Sequence, residues 1–248
     1  MEDITVHCMV RNEPFVYYAV KSVYSYVSRI LLYDTDSYDE HTLEDIEKLL
    51  DEDYDNKITF DRCPIDVDET LWDANNYKRM KKEHAGKKGK WSVRKKMIED
   101  TDTKFFIILD GDEVHYRHTM KAFQDCAVNW KKGMVCGFVP LIWFSDMDNV
   151  FRTSRSGRMF LTEGTDVNTC IPGEIHLHKF TKEIIARAAP YSFDVPDVFP
   201  FAHFETFLKP WRRNLAEYDI KLFQGVLPEV MIDNPYYVER FIEENGKK

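Results

Sequence analysis

Two aspartates one residue apart, Asp110 and Asp112, follow the apolar run Phe105–Leu109 (FFIIL) and are followed at once by Glu113. Carboxylates are hard oxygen donors suited to Mg²⁺ or Mn²⁺, cations that also bind phosphate oxygens. An ion held there can neutralise the charge that develops on a departing diphosphate. The alternative is a strand-ending turn whose Asp side chains cap the backbone, because such triplets also occur by chance in acidic chains. A second chemically pointed stretch is basic. Residues 78–96 (KRMKKEHAGKKGKWSVRKK) hold ten Lys or Arg against one acid, Glu83. That stretch is therefore +9, and with the whole chain at −9 the remainder is −18. A charge run of this kind is either a solvated loop or a surface for an anionic partner.

The elements that must carry these residues can be read from hydrophobic periodicity. Ile4–Met9 reads as a strand and Glu13–Ser28 as a helix, with Phe15, Ala19, Val20, Val23 and Val27 on one face. Arg29–Tyr33 reads as a strand, Asp34–Glu40 as a polar turn, and His41–Asp51 as a helix through Leu43, Ile46, Leu49 and Leu50. Ile58–Phe60, a helix over Trp91–Glu99 and the strand Phe105–Leu109 complete the first half. This alternation predicts an α/β fold, a mostly parallel sheet with helices on both faces and ligands beyond the carboxyl ends of its strands. Arg11–Glu13, Asp34–Asp39 and Asp110–Glu113 then converge on one edge. The second half predicts a strand at Met134–Pro140, a loop at Gly164–Gly173, a strand at Glu174–Phe180 and a helix at Trp211–Phe223. No linker divides the chain, so the expectation is one domain with halves 1–115 and 116–248.

The first ~115 residues resemble the nucleotide-binding half of the GT-A glycosyltransferases, especially the family 2 type. MVRNEPFVYYAVKS is similar to that family's opening strand, turn and helix, ILLYDTDSYDEHT to its second strand and Asp-Ser-Asp-Thr pattern, WSVRKKMIED to its Trp-Arg helix and LDGDE to its metal motif. The resemblance implies a nucleotide-sugar donor, UDP-linked by preference, and Mn²⁺ or Mg²⁺ as cofactor. It implies donor contacts from Arg11, Glu13, Asp34, Arg94 and Asp110, and a metal held by Asp110, Asp112 and His203, with Asp112 at the catalytic centre. Asp36 stands where the family often carries a small residue such as Gly. FPFAHFETFLKPWRRN resembles the segment that returns a histidine to the metal, although a lone His between aromatics is equally a core residue. Arg158 and IPGEIHLH resemble the acceptor side, where His176-Leu177 replaces the family's His-Glu pair. The customary carboxylate is thus missing, and Glu174, two residues from His176, is the first candidate for the base of an inverting transfer. Asp146, Asp148, Asp166 and Asp194 remain open.

Lys81, Lys82, Lys87 and Lys88, with Arg158 and His176, are the candidate acceptor contacts. Flanked by Trp72, Tyr77 and Trp91, the basic run suits an acceptor carrying phosphates, and a hydroxymethylated base in DNA is one such acceptor. A saccharide, lipid-linked sugar or protein acceptor is the alternative, with the charges then serving the donor diphosphate or only solvating a loop. A nucleotidyltransferase is disfavoured because RNEP, not a Gly-rich phosphate loop, follows the first strand. A non-catalytic nucleic-acid-binding module built on residues 78–96 is the reading from another class. Five scattered cysteines without a C-x-x-C pair point to a reducing, cytoplasmic setting. The acidic start MEDITVHCMV reads as part of the fold, and no apolar run reaches the ~18 residues of a membrane span.

Overall fold

The structure, a computed structural model, describes residues 3–67, 82–130, 136–163, 165–167, 176–178, 192–194, 201–204, 216 and 218–245. Its first half is the predicted alternation: β1 (Ile4–Val10), α1 (Val16–Tyr24), β2 (Arg29–Asp34), α2 (Glu40–Asp51), β3 (Ile58–Arg62), α3 (Lys90–Glu99) and β4 (Phe105–Asp110). There follow β5 (Glu113–His115), α4 (Arg117–Val128), β6 (Cys136–Phe144), β7 (Asn149–Leu161), β8 (Thr165–Val167), β9 (His176–His178), β10 (Ser192–Asp194), β11 (Phe201–His203), β12 (Lys221–Leu222), α5 (Glu229–Asp233) and α6 (Tyr236–Asn245).

One sheet runs through both halves in the order β3-β2-β1-β4-β7-β6-β11-β5, with β10 and β12 attached to β6 and β7. From β3 to β4 every pairing is parallel, and from β4 to β7 and on to β6 the pairings are antiparallel. Side chains alternate between the faces, as the period of two demands. Ile4, Val6, Cys8 and Val10 of β1 and Ile30 and Leu32 of β2 pack with Val16, Ala19, Val20 and Val23 of α1. Met9, Leu31 and Tyr33 point the other way, to Val93 and Met97 of α3. Helices therefore cover both faces, and the chain has the α/β architecture, parallel in its first half, that the sequence predicts. Among the described residues no helix is long and apolar enough to cross a membrane.

Two expectations for the second half are corrected. Lys221–Leu222, within the predicted helix Trp211–Phe223, is instead a strand pairing antiparallel with Asn149–Val150, because the long β7 offers it a free edge. Thr165–Val167, within the predicted loop Gly164–Gly173, pairs antiparallel with His176–His178 in a separate two-stranded sheet.

The sheet order puts β2 on one side of β1 and β4 on the other. The strand order thus reverses at β1, and the carboxyl ends of β1 and β4 flank the crevice position that ligands usually take in such sheets. Around it the loops after β1 and β2 are stitched together. The Asn12 N–H donates to Ser37 Oγ at 2.9 Å, while Asn12 Oδ1 accepts from the Tyr38 and Asp39 N–H groups at 2.9 and 3.0 Å. Asp39 then caps α2, accepting from the Thr42 N–H at 2.8 Å, an interaction that typically contributes about 1 kcal/mol. Asp36 takes φ 80°, the left-handed region that Gly enters freely and Asp tolerates, so the turn keeps the geometry a glycine would give.

On α2, Asp45 is buried beside Ile46 and Leu49, and burial pushes its carboxyl up to about 7 against an opposing pull from Lys48. The folded chain then holds a proton that the unfolded chain releases near pH 4, so this contribution is full below pH 4 and is lost as pH rises through 7. Asp45→Asn is expected to be more stable than the parent at pH 8, with the difference vanishing near pH 4. Urea midpoints measured across that range check it.

Candidate metal and donor site

The exit of β4 is crowded by design of the local sequence. Gly111 separates the two aspartates, and a Cβ there would stand 2.6 Å from the Glu13 Cβ and 3.1 Å from Val10 Cγ1. Only glycine lets the loop after β1 close over this turn. Asp112 and Glu113 are buried, whereas the Asp110 side chain is about a quarter exposed, at 28%.

Three elements far apart in sequence supply the remaining groups. α3 delivers Arg94, fully buried, whose Nη2 stands 3.9 Å from Asp110 Oδ1 and whose Nη1 donates to the His7 carbonyl at 3.4 Å. β7 delivers Arg158. The β6–β7 register shifts between Gly137, opposite Met159, and Phe138, opposite Gly157, leaving Arg158 as the extra residue of a bulge. Bulges re-aim side chains, and this one turns Arg158 onto the acids. Its Nη2 pairs with Glu113 Oε1 in a short contact and reaches Asp110 Oδ2 at 3.4 Å. β11 delivers His203, opposite Glu113 in the antiparallel pairing with β5. Its Nε2 lies 3.8 Å from Asp112 Oδ1 and 3.5 Å from Glu113 Oε1, and the Phe204 N–H donates to the Asp112 carbonyl at 2.8 Å.

Asp110, Asp112 and His203 each offer one ligand atom, and these atoms all lie within 4.8 Å of one another. Two carboxylates and an imidazole form a donor set that fits Mn²⁺ and, through its oxygens, Mg²⁺. Glu113, which the sequence reading did not single out as a site residue, ties the group together. It is fully buried, accepts from the Asp110 N–H at 3.2 Å, and contacts Arg158 and His203. Burial pushes its carboxyl well above the ordinary range; Arg158 pulls it down, while Asp110 and Asp112 push it further up. The signal for Glu113 was the third acid of LDGDE, whereas its partner Arg158 was singled out in GRMF only as an acceptor contact.

The other candidates fall as follows. Asp34, fully buried at the end of β2, accepts from the Ser37 N–H at 2.9 Å, and Arg62 Nε at the end of β3 approaches its other oxygen to 3.3 Å. Arg11 is exposed at the end of β1 and Glu13 is half-buried against Gly111. Lys82, Lys87 and Lys88 are exposed, and the Lys88 N–H donates to Asp66 just past β3 at 2.9 Å, bringing this basic loop to the same sheet edge. Arg158, expected among the acceptor contacts, is buried in the acid cluster. His176 is on β9, while Lys81 and Glu174 lie outside the described residues. Asp146 is a turn residue that accepts from the Asp148 N–H and the Asn149 amide, both at 2.9 Å. A separate cleft of about 530 Å³, lined by Lys21, His115, Arg117 and Glu229 among others, lies between α1, α4 and α5 and includes none of Asp110, Asp112 and His203.

No family model and no curated protein matches the sequence. Among solved structures, S. aureus TarS 1–349 is similar at 10% identity and a TM-score of 0.47, over 83% of this chain and 61% of that one. Glucosyl-3-phosphoglycerate synthase from Mycobacterium tuberculosis, solved in complex with Mn²⁺, uridine diphosphate and phosphoglyceric acid, is similar at 12% identity and a TM-score of 0.35, over 58% of this chain and 43% of that one. The same synthase with Mg²⁺ and uridine diphosphate gives the same values. The chain thus spans about three fifths of the TarS segment and under half of the synthase.

Removing one partner from a buried ion pair strands the other and typically costs about 3–5 kcal/mol. Arg158→Met is expected to lose stability of that order, while Arg158→Met with Glu113→Gln loses distinctly less. Urea unfolding of the two single variants and the double variant gives the coupling directly.

Proposed function

We propose that this chain is a metal-dependent glycosyltransferase that moves a sugar from a nucleoside diphosphate carrier to an acceptor hydroxyl. The observation that carries the reading is the convergence of Asp110, Asp112 and His203 at the crevice where the strand order reverses. A carboxylate pair at a strand exit fits a divalent ion better than it fits a capping turn, because a third ligand comes from a strand some ninety residues away.

Asp110, Asp112 and His203 would hold Mn²⁺ or Mg²⁺, whose charge favours departure of the diphosphate. Arg94 and Arg158 fix the Asp110 carboxylate from two sides and offset the surplus negative charge. Asp34 faces the nucleoside, where a buried carboxylate accepts from a base or ribose donor, and Arg11 and Glu13 border the donor from the loop after β1. A UDP-sugar is the favoured donor by the family resemblance, as is inversion with Glu174 as the base. The exposed Lys82, Lys87 and Lys88, on the loop that the Lys88 N–H ties to Asp66 past β3, suit an anionic acceptor, of which a hydroxymethylated base in DNA is the nucleic-acid case. Free thiols at Cys8, Cys63 and Cys126 suit a cytoplasmic setting.

The test incubates the protein with Mn²⁺ and a panel of sugar nucleotides and measures nucleotide release with and without hydroxymethylated DNA. Release that needs the metal and one preferred donor is expected, and Asp112→Asn should lower it by at least about a hundredfold, since an amide is a poor divalent ligand. Stimulation by the DNA assigns that acceptor, and stimulation only by saccharide, lipid or protein assigns one of those. Salt-sensitive DNA binding with no release from any donor would instead establish the non-catalytic module. Replacing Lys82, Lys87 and Lys88 together by Ala should weaken an anionic acceptor while leaving the donor KM within about twofold, and should flatten the salt dependence of acceptor binding. Equal loss for donor and acceptor would make the loop a donor element.

A further inference from the structure

Three strands present a row of side chains in register across the sheet: Trp143 on β6, His203 on β11 and Glu113 on β5. The middle member is the histidine of the proposed metal site. Its ring centroid lies 3.9 Å from that of Trp143, with the planes inclined at 39°. Its Nε2 lies 3.8 Å from Asp112 and 3.5 Å from Glu113. The imidazole thus packs against the indole while its Nε2 edge meets the carboxylates. The indole takes up space that the ring would otherwise be free to sample.

We propose that Trp143 is a positioning residue for the metal site, holding His203 in the one rotamer that aims Nε2 at the ion. The proposal rests on the reading of Asp110, Asp112 and His203 as the metal ligands. Its physical content is pre-organisation. A histidine free to sample several rotamers must be ordered when it binds a metal, and that ordering entropy subtracts from affinity. A ring already confined by an aromatic neighbour loses less on binding. Metal-bound histidines are commonly oriented by a neighbour that hydrogen-bonds the second ring nitrogen, and loss of such a neighbour typically weakens metal affinity about 10- to 100-fold. Here an aromatic face takes part in that work. Trp143 is half-buried, and its strand neighbour Phe144 is anchored in the core against Phe204, the residue after His203, at a centroid distance of 4.8 Å. The two aromatic pairs, Trp143 with His203 and Phe144 with Phe204, lock β6 to β11 at the point where the ligand is delivered.

The experiment measures Mn²⁺ binding to the full chain by the loss of the free-ion electron paramagnetic resonance signal, without donor or acceptor. Parent, Trp143→Phe, Trp143→Leu, His203→Ala and Asp112→Asn are compared. Trp143→Leu is expected to weaken Mn²⁺ about tenfold or more, and Trp143→Phe, which keeps an aromatic face, to recover most of that loss. A second reading does not depend on the Leu variant folding. Mn²⁺ should quench tryptophan emission in the parent, and the quenched component should be missing from folded Trp143→Phe. Mn²⁺ affinity unchanged in Trp143→Leu while His203→Ala weakens it, or equal quenching in the parent and Trp143→Phe, overturns the positioning role and leaves the metal site intact. Parent-like affinity in both His203→Ala and Asp112→Asn overturns the metal site itself and this inference with it.

Discussion

Three carboxylates within four residues can share one strand exit only where positive charge is brought to them or one keeps its proton, as burial favours for Glu113. Two like charges about 4 Å apart repel by about 4 kcal/mol at an effective dielectric near 20, so an uncompensated cluster would oppose folding. The chain meets this constraint with two buried guanidinium groups from opposite halves of the molecule. Arg94 reaches Asp110 from α3 beneath the sheet, and Arg158 reaches Asp110 and Glu113 from the bulge in β7. The orientation of α3, the irregularity of β7 and the return of β11 against β5 all satisfy the same requirement. A divalent ion between Asp110, Asp112 and His203 would complete the neutralisation that the two arginines begin.

The surrounding architecture keeps this cluster at the edge of the crevice. The reversal of strand order at β1 sets the crevice position, and Asn12 binds the loops that border it to one another. Gly111 removes the one Cβ that would hold the β1 loop off the acids. Preorganisation of this kind lets fixed charges act at once on charge that develops in a reaction, without waiting for loops to rearrange. Trp143 extends the same logic to the histidine.

The parallel half of the fold was legible because its strands and helices each carry a clear period. FFIIL, RILLY and the Val-rich face of α1 admit one reading, and the order strand, helix, strand forces adjacency. Asp110 and Asp112 stood out as candidate ligands through their types and His203 through the family resemblance, and their convergence is what the structure adds. The second half was harder for physical reasons. β5 and β11 are three residues each and become strands only by pairing across some ninety residues of chain. β7 reads NVFRTSRSGRMFL, a polar sequence whose bulge breaks the alternation, so nothing in it told that Arg158 would turn inward to the acids. Lys221–Leu222 takes its conformation from the free edge of β7 and not from its own propensity. The helix α4 was not placed from the sequence, although Met120, Phe123 and Ala127 fall on its buried face at helical spacing.

The proposed chemistry depends on one cation at one corner of the sheet. A crystal soaked with Mn²⁺ and uridine diphosphate, with diffraction recorded at a wavelength where manganese scatters anomalously, tests it most directly. The predicted result is a single strong anomalous peak bounded by oxygens of Asp110 and Asp112, His203 Nε2 and the diphosphate. A peak elsewhere, or a bound nucleotide with no manganese beside these three side chains, would contradict it.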